Sequence, residues 1–198
     1  MALEIFTQFT AKGDQLIQQY QLRKRFCVDY LEWPNRNVMS GLEYDEYDHP
    51  FTVYVMWRDE ENIARGMLRF TQCNLPFMIK DHWPELISDQ AMPERKDQWE
   101  LTRLCIERCV DDRIGEVIGE LMRGSEILAE IMNISEYWYM APKERIEGLW
   151  PHNRTYVGPG LQVGYEYCFA AYSDARQMVQ PSKRENIEYQ PIQVQYAA

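Results

Sequence analysis

Short apolar runs rich in β-branched and aromatic residues alternate along the chain with stretches whose apolar positions recur every three or four residues. Runs of the first kind predict strands, and stretches of the second kind predict amphipathic helices. The predicted strands lie within residues 1–10, 52–57, 63–70, 99–109, 137–140, 155–157 and 161–171. The predicted helices cover residues 14–26, 111–132 and 142–149, and the proline-broken stretch 71–98 is expected to be an ordered loop with a short helix.

Two of these helices have an apolar face that we expect to be buried. In the first helix this face contains Leu16, Ile17 and Tyr20. In the second helix it contains Ile114, Val117, Ile118, Leu121, Met122, Leu128, Ile131 and Met132. The order of elements favours an α/β fold with a mixed, mostly antiparallel sheet flanked by helices. The 198 residues fit a single domain over 1–198, with a loosely docked tail from about residue 179 to 198.

The composition restricts the class of protein further. Hydrophobic residues make up 45% of the chain, which is typical of a globular domain. The net charge of −10 argues against nucleic acid as a partner and gives no support for an anionic membrane surface, so neither is expected. No apolar run reaches the length of a membrane span, and the first residues lack the features of a signal peptide. The five cysteines form no C-x-x-C pair and the three histidines show no ligand spacing, so we expect a cytoplasmic protein with reduced thiols and no metal.

An acidic tract stands out between the first helix and the following strand. Glu43, Asp45, Glu46 and Asp48 fall within six residues and are interleaved with two tyrosines. Crowded acids raise each other's pKa unless a cation lies among them, so the natural ligand of this loop is positively charged. The simpler alternative is a solvated acidic loop without a ligand.

Five short elements occur in order around this tract. They are Arg23, Trp33, the E-x-D-x-x-D arrangement of Glu43, Asp45 and Asp48, the G-x-x-R element from Gly66 to Arg69, and the W-E-x-[ST]-R element from Trp99 to Arg103. Each fragment is weak alone, but together and at these spacings they are specific. Over the region from Arg23 to Arg103, the chain therefore resembles the acyl-homoserine lactone synthases, which make quorum-sensing signals.

The resemblance implies a three-layer α-β-α fold like that of the N-acetyltransferases, in which two central strands splay apart around a thioester arm. It also implies transfer of an acyl group from an acyl thioester to the amine of S-adenosylmethionine (SAM). The donor is acyl carrier protein or acyl-coenzyme A. Lactonisation then releases methylthioadenosine. SAM is a substrate in this chemistry, and no cofactor is expected.

The resemblance assigns SAM binding to Arg23, Trp33, Asp45, Asp48 and Arg69. Arg69 is expected to support the acids, because one guanidinium can hold two carboxylates. Without the resemblance, Arg23 is explained by the preference of cations for a helix C-terminus and Arg69 by a surface ion pair. The family usually carries a phenylalanine four residues after the first arginine, whereas this chain has Cys27 there, beside Phe26.

The candidate catalytic residues are Glu100, Glu43 and Arg103. Glu100 is the first candidate to accept the amine proton, because burial on a strand beside an aromatic residue raises a carboxyl pKa, and Glu43 is the second. Simple alternation would place Glu100 and Arg103 on opposite faces of their strand, so we predict an irregularity near Leu101–Thr102. The alternative for Glu100 and Arg103 is a structural ion pair.

The acyl group has the weakest sequence signal. Bulky residues in the second half of the chain are candidates for an acyl pocket, namely Met122, Tyr137, Trp138 and Met140. The alternative is that they belong to the ordinary core. An acidic carrier protein would need a basic patch, for which Lys143, Arg145 and Arg154 are available.

Two other functions remain possible on the residues alone. One is an N-acyltransferase of the same fold that uses coenzyme A and another amine. Such enzymes usually carry an R/Q-x-x-G-x-G/A loop for the pyrophosphate, and the corresponding stretch from Val110 to Glu116 lacks it. The other is a non-catalytic domain that binds a small molecule.

Overall fold

The computed structural model describes residues 1–33, 38–88, 92–150, 153–178 and 192–194, with the backbone alone described at residues 111 and 192–194. The strands are β1 (Ala2–Thr7), β2 (Val38–Met39), β3 (Leu42–Glu43), β4 (Val53–Arg58), β5 (Ala64–Gln72), β6 (Gln98–Ile106), β7 (Glu136–Pro142), β8 (Thr155–Tyr156), β9 (Leu161–Val163), β10 (Glu166–Asp174) and β11 (Ile192–Val194). The α-helices are α1 (Gln15–Arg23), α2 (Met78–His82), α3 (Ile114–Met132) and α4 (Lys143–Leu149). A π-helix (Lys24–Tyr30) follows α1, and 3-10 turns cover Pro84–Leu86 and Arg108–Arg113. Within these described residues, no helix is long and apolar enough to cross a membrane.

Nine strands form one mixed sheet, which confirms the predicted fold class. Their spatial order is β11-β1-β4-β5-β6-β7-β10-β8. The ninth strand, β9, pairs with the beginning of β10, whereas β8 pairs nearer its end. The β11–β1 and β6–β7 pairs are parallel, and the other neighbours in the sheet are antiparallel. Strands β2 and β3 form a separate small hairpin. Most of the expected tail lies outside the described residues, but the backbone of β11 docks on the edge of the sheet beside β1.

Helices cover both faces of the sheet. Successive residues of a strand point to opposite faces, so each strand packs against the helices on both sides. On β4 and β5, Val55 and Leu68 pack in the core under α3, whereas Tyr54 and Met67 pack under α1 and the π-helix. Gly124 lets α3 lie directly on β4, since a Cβ at this position would be 2.5 Å from a methyl group of Val55. The molecule is therefore the three-layer arrangement that the resemblance implied.

The two central strands β6 and β7 separate part of the way along their length. They pair only from Gln98–Glu136 to Glu100–Trp138, although β6 continues to Ile106 and β7 to Pro142. The ladder between them thus ends in the middle of the sheet. This is the splay that the resemblance predicts, and it creates an opening between two otherwise continuous halves.

The expected burial of α1 is wrong in one respect. Ile17 is 51% exposed, and the helix buries Gln15, Gln19, Leu22 and Arg23 instead. The reason is that α1 covers a charged cluster, described below, so polar side chains face inward. The helix also ends earlier than predicted, and the chain continues from residue 24 to 30 as the π-helix.

The ends of other elements also differ from the predictions. Helix α3 begins at Ile114 rather than at residue 111, and Ile114, Ile131 and Met132 are exposed because only its central turns meet the sheet. The predicted strand over 161–171 is the hairpin of β9 and β10, which turns at Gly164 with a φ of +59°. Strand β6 ends at residue 106, so Cys109 lies in the following 3-10 turn.

Candidate active site

Strand β6 has a bulge at Arg103. It contains one residue more than β5 between two paired positions, and Arg103 has a φ of +54°, a region that non-glycine residues rarely occupy. The bulge brings Arg103 to the face that carries Glu100, and both side chains contact Met78 there. The predicted irregularity is confirmed, one residue beyond the expected Leu101–Thr102.

Six buried side chains form what we call the acid–arginine cluster, which consists of Arg23, Glu43, Asp45, Asp48, Arg69 and Arg103. Arg23 Nε lies 2.5 Å from Glu43 Oε2, and its Nη1 lies 2.6 Å from Asp48 Oδ1. Arg103 Nη2 lies 3.1 Å from Glu43 Oε1 and 2.5 Å from Asp45 Oδ2. Glu43 is held on the short strand β3, between the two guanidinium groups of α1 and β6.

Arg69 links the two aspartates of the cluster, Asp45 and Asp48, as the expected support of the acids requires. Its Nη1 lies 2.5 Å from Asp45 Oδ1 and 3.3 Å from Asp48 Oδ1. Its Nε donates to Thr102 Oγ1 on the neighbouring strand at 3.0 Å. The guanidinium is fully buried, so it is a structural part of the cluster and not the partner of a surface ion pair.

The cluster balances three carboxylates with three guanidinium groups. Burial opposes ionisation of Asp48, but the charges of Arg69 and Arg23 outweigh it and hold the pKa of the carboxyl well below its usual range. Burial also opposes ionisation of Asp45, and Arg69 and Arg103 lower its pKa. The sequence required a cation among these acids, and the protein itself supplies it through three arginines, so the pKa of Asp45 and that of Asp48 are lowered rather than raised.

Several residues that support the cluster were not predicted. The Tyr54 hydroxyl donates to Asp48 Oδ1 at 2.9 Å, and Gln8 Nε2 donates to the backbone carbonyl of Asp48 at 2.6 Å. The Tyr47 ring lies 5.8 Å from the Arg69 guanidinium. Of these supporting residues, only Tyr47 could have been recognised from the sequence, because it lies inside the acidic tract. The other contacts depend on strand register and on the loop after β1.

Glu100 is fully buried and adjoins the cluster without contacting its arginines directly. Its Oε2 accepts a hydrogen bond from the backbone N–H of Met78 at 3.0 Å, and its Oε1 accepts one from Ile79 at 2.8 Å. Burial raises the pKa of the Glu100 carboxyl to about 7, against the opposing effect of these two hydrogen bonds. Glu100 therefore combines a structural role, holding the start of α2, with a pKa suited to proton transfer near neutral pH.

A cavity of about 740 Å³ opens where β6 and β7 part. Its polar wall includes Trp33, Glu43, Asp45 and Arg103, and the Arg103 guanidinium lies 5.8 Å from the Trp33 ring. Asp48, Arg23, Arg69 and Glu100 lie behind this wall. The structure thus brings all the predicted SAM-site and catalytic residues to one region, with four of them facing the opening.

The four residues predicted for the acyl pocket do not lie together. Met140 lines the cavity. Trp138 packs with the core around α2 and stacks on Tyr172 at 4.9 Å between ring centroids. Met122 and Tyr137 belong to the core under α3, on the other face of the sheet. Other side chains supply the apolar wall, namely Leu31, Met78, Trp83, Leu101, Ala141, Val163 and Cys168.

The proposed basic patch is less basic than its three residues suggest. Arg145 lies 2.8 Å from Glu166, while Lys143 and Arg154 both lie within 4.0 Å of Glu147. Each cation therefore has an acidic neighbour. In the described part of the chain, no group of three or more His, Cys, Asp or Glu side chains is arranged to hold a metal ion.

Comparisons with known proteins identify a family and a fold. The family model described as autoinducer synthase matches residues 8–140. An acyl-homoserine-lactone synthase from Aeromonas hydrophila is 36% identical over 102 residues, which cover 52% of this chain and 48% of the relative. One from Vibrio anguillarum is 29% identical over 97 residues, covering 49% of this chain and 50% of the relative. The chain thus spans about half the length of the curated relatives that it matches.

Solved structures match the chain over nearly all its length at low identity. A CoA-dependent acyl-homoserine lactone synthase, BjaI, solved with SAM and isopentyl-CoA, superposes with a TM-score of 0.85 at 20% identity. The match covers 100% of this chain and 94% of BjaI. The synthase LasI superposes with a TM-score of 0.79 at 19% identity, covering 96% of this chain and 97% of LasI. At these identities the similarity establishes the fold.

Proposed function

Because the chain belongs to the autoinducer synthase family, we propose that it is an acyl-homoserine lactone synthase. In this reaction the amine of SAM attacks the carbonyl carbon of an acyl thioester, a C–N bond forms and the thiol leaves. The methionine carboxylate then attacks its own γ-carbon, the C–S bond breaks, and methylthioadenosine is released. The observation that carries the proposal is the acid–arginine cluster on the wall of the cavity between β6 and β7.

The charge balance of this cluster suits SAM better than a purely acidic loop would. SAM carries a sulfonium, an amine and a carboxylate, so a site for it needs groups of both signs. Two carboxylate residues, Glu43 and Asp45, and one guanidinium residue, Arg103, line the cavity. The Trp33 ring on the same wall can accept a cation over its face. We assign Arg23, Asp48 and Arg69 the role of holding these groups in place from behind.

Glu100 is the proposed acceptor of the amine proton. Its pKa of about 7 leaves much of the carboxyl ionised at neutral pH, so it can take a proton directly or through one water. Each of its oxygens retains a lone pair beyond the hydrogen bonds from Met78 and Ile79. Glu43 lines the cavity itself and is the second candidate, although both of its oxygens contact an arginine.

The acyl thioester enters, on this proposal, between the separated ends of β6 and β7. Backbone N–H groups on the parted strands would stabilise the oxyanion that forms when the amine attacks. Of the four predicted pocket residues, Met140 is the one that meets this space, beside Leu101 and Ala141. The synthase BjaI is CoA-dependent, and acyl-CoA and acyl carrier protein both remain candidate donors for this chain.

The first experiment is mass spectrometry of organic extracts from cells that express the chain, with Asp48→Asn as the control. An acylated homoserine lactone that is absent from the control would establish the reaction and identify the acyl group. The second experiment uses purified protein, SAM and a panel of acyl-CoA and acyl carrier protein donors, with methylthioadenosine release as the readout. No release with any donor, together with no thermal stabilisation by SAM, would contradict the proposal and favour another ligand for the same fold.

A further inference from the structure

Two cysteines face each other next to the acid–arginine cluster. The Sγ atom of Cys27, in the π-helix, lies 3.6 Å from the Sγ atom of Cys105, on β6, and both side chains are fully buried. The two positions are 78 residues apart in the chain, so only the fold brings them together. Cys27 occupies the position where the family usually has an aromatic residue, so the pair is a feature that the proposed reaction does not explain.

Each of these cysteines is connected to a residue of the cavity wall. The backbone N–H of Trp33 donates to the carbonyl oxygen of Cys27 at 3.0 Å. Cys105 follows Arg103 by two residues on the same strand, and the Arg103 guanidinium lies 5.8 Å from the Trp33 ring. A change in the distance between the two sulfurs therefore acts on both members of the Trp33–Arg103 contact.

The local electrostatics favour the thiolate form of Cys27. The Cys105 S–H group stabilises the Cys27 thiolate, and despite burial the nearby Arg103 charge adds to this, so the pKa of Cys27 is lowered. The thiolate is the form that attacks an oxidant. The surrounding segment is a π-helix, a rare conformation that frequently occurs at functional sites.

We propose that Cys27 and Cys105 form a reversible disulfide that switches the candidate active site off. With hydrogen peroxide as the oxidant, the Cys27 thiolate attacks one peroxide oxygen, the O–O bond breaks, and a sulfenic acid and water form. The Cys105 sulfur then attacks the Cys27 sulfur, an S–S bond forms, and a second water leaves. Two thiols and one peroxide thus give one disulfide and two waters, and a dithiol reverses the reaction.

The geometric consequence follows from the length of the new bond. The sulfurs must approach by roughly 1.5 Å, from 3.6 Å to the ~2.05 Å of a disulfide. This draws the π-helix toward β6 and displaces Trp33 relative to Arg103. Disulfides in reducing compartments are usually redox-sensing rather than structural. The effect on turnover rests on the proposed function, and we expect a loss of about a hundredfold, the order that follows a 1 Å misplacement in a site.

The test uses the full chain with Cys109→Ala, which removes the exposed thiol and its intermolecular reactions. The protein is titrated with hydrogen peroxide, free thiols are alkylated, and peptides are mapped by mass spectrometry. We expect a peptide pair linked through Cys27 and Cys105, absent when Cys27→Ala is added. The matched control adds Cys73→Ala, which removes another buried thiol and leaves the linked pair intact. Oxidation that yields only sulfinic acid or mixed products, without this link, would overturn the proposal.

A second readout reports the displacement without requiring activity. We expect oxidation to change the intrinsic fluorescence, dithiothreitol to reverse the change, and Trp33→Phe to remove most of it. A disulfide that leaves the Trp33 signal unchanged would show that it is not a switch. Turnover is measured on the same samples. If the reduced protein releases no methylthioadenosine with any donor and is not stabilised by SAM, the proposed function has failed, and the linked peptides and the fluorescence still decide the switch.

Discussion

The two walls of the cavity between β6 and β7 are built in different ways. The wall formed by α1, β3, β5 and β6 holds the acid–arginine cluster, in which each charged side chain meets an opposite charge within 4 Å. The wall formed by β7 and the β9–β10 hairpin is mostly apolar, with residues such as Met140, Ala141 and Cys168, and Tyr165 is 88% exposed at its rim. The charged lining residues on this side, Arg145 and Glu166, pair with each other at 2.8 Å.

The difference shows which part of a site a sequence can reveal. A buried charge is costly unless a partner of opposite charge and hydrogen bonds compensate it, so the cluster requires particular residue types at particular spacings. An apolar wall requires only suitable volume, and many residue types satisfy that condition. Charged walls are therefore visible as motifs, whereas apolar walls have the same composition as the core.

The largest expected effect is on the charged wall. Substituting Arg69→Met leaves Asp45 and Asp48 buried with one cation fewer, and we expect the free energy of unfolding to fall by about 3–5 kcal/mol. Urea unfolding measures this change. The matched control is Lys80→Met, which removes an exposed ion pair with Glu94 and should change stability by less than about 0.5 kcal/mol. Equal losses of unfolding free energy in the two variants would mean that the cluster contributes no more to stability than an exposed ion pair does.

The next effect concerns Glu100 and its pKa of about 7. A base must be deprotonated to work, and kcat/KM reports the pKa of the free enzyme, so kcat/KM should rise with pH through about 7 and then level off. In Glu100→Gln we expect kcat/KM to fall by about 10²–10⁴-fold and the rise to disappear. If Glu100 only holds the start of α2, the rate would fall by the same factor at every pH and keep the wild-type profile, which distinguishes the two roles.

Substitutions in the apolar wall should change the selectivity for acyl chain length. Removing the side chain beyond Cβ in Met140→Ala lengthens the cavity, and we expect a preference shift of about 10–200-fold per added methylene toward longer acyl donors. A kcat/KM series over acyl chain lengths measures it. The control is Met122→Leu, which has a similar volume and lies on the other face of the sheet. A selectivity change with Met122→Leu, and none with Met140→Ala, would show that the acyl pocket lies beside helix α3 instead.

The smallest effect is expected for the fourth acid of the tract. Glu46 lies outside the acid–arginine cluster, is 59% exposed at its side chain and contacts only His82 at 3.5 Å among the ion pairs of the described residues. We expect Glu46→Gln to change the free energy of unfolding by less than about 0.5 kcal/mol, measured by urea unfolding. A loss of unfolding free energy as large as that of Arg69→Met would show that Glu46 belongs to the acid–arginine cluster.

The extent to which the sequence predicted the structure follows the same division. The hairpin of β4 and β5 and the central turns of α3 were readable, because their apolar periodicity is strong and local. The face of α1 was not, since Ile17 looks buried by pattern while Arg23 is the residue that the tertiary environment draws inward. The split of β9 and β10 was missed because one glycine, Gly164, reverses a run that reads as a continuous strand.

By itself, the sequence determined the α/β class, the family and the charged residues of the candidate site, because each of these depends on residue types at short spacings. Only the tertiary structure decided that Arg23 and Arg103 join Arg69 in neutralising the acids, that the bulge lies at Arg103 itself, and that Cys27 meets Cys105. These outcomes depend on strand register and on contacts between residues far apart in the chain. Local pattern carries no information about such distances, because they are set by how the helices and strands pack.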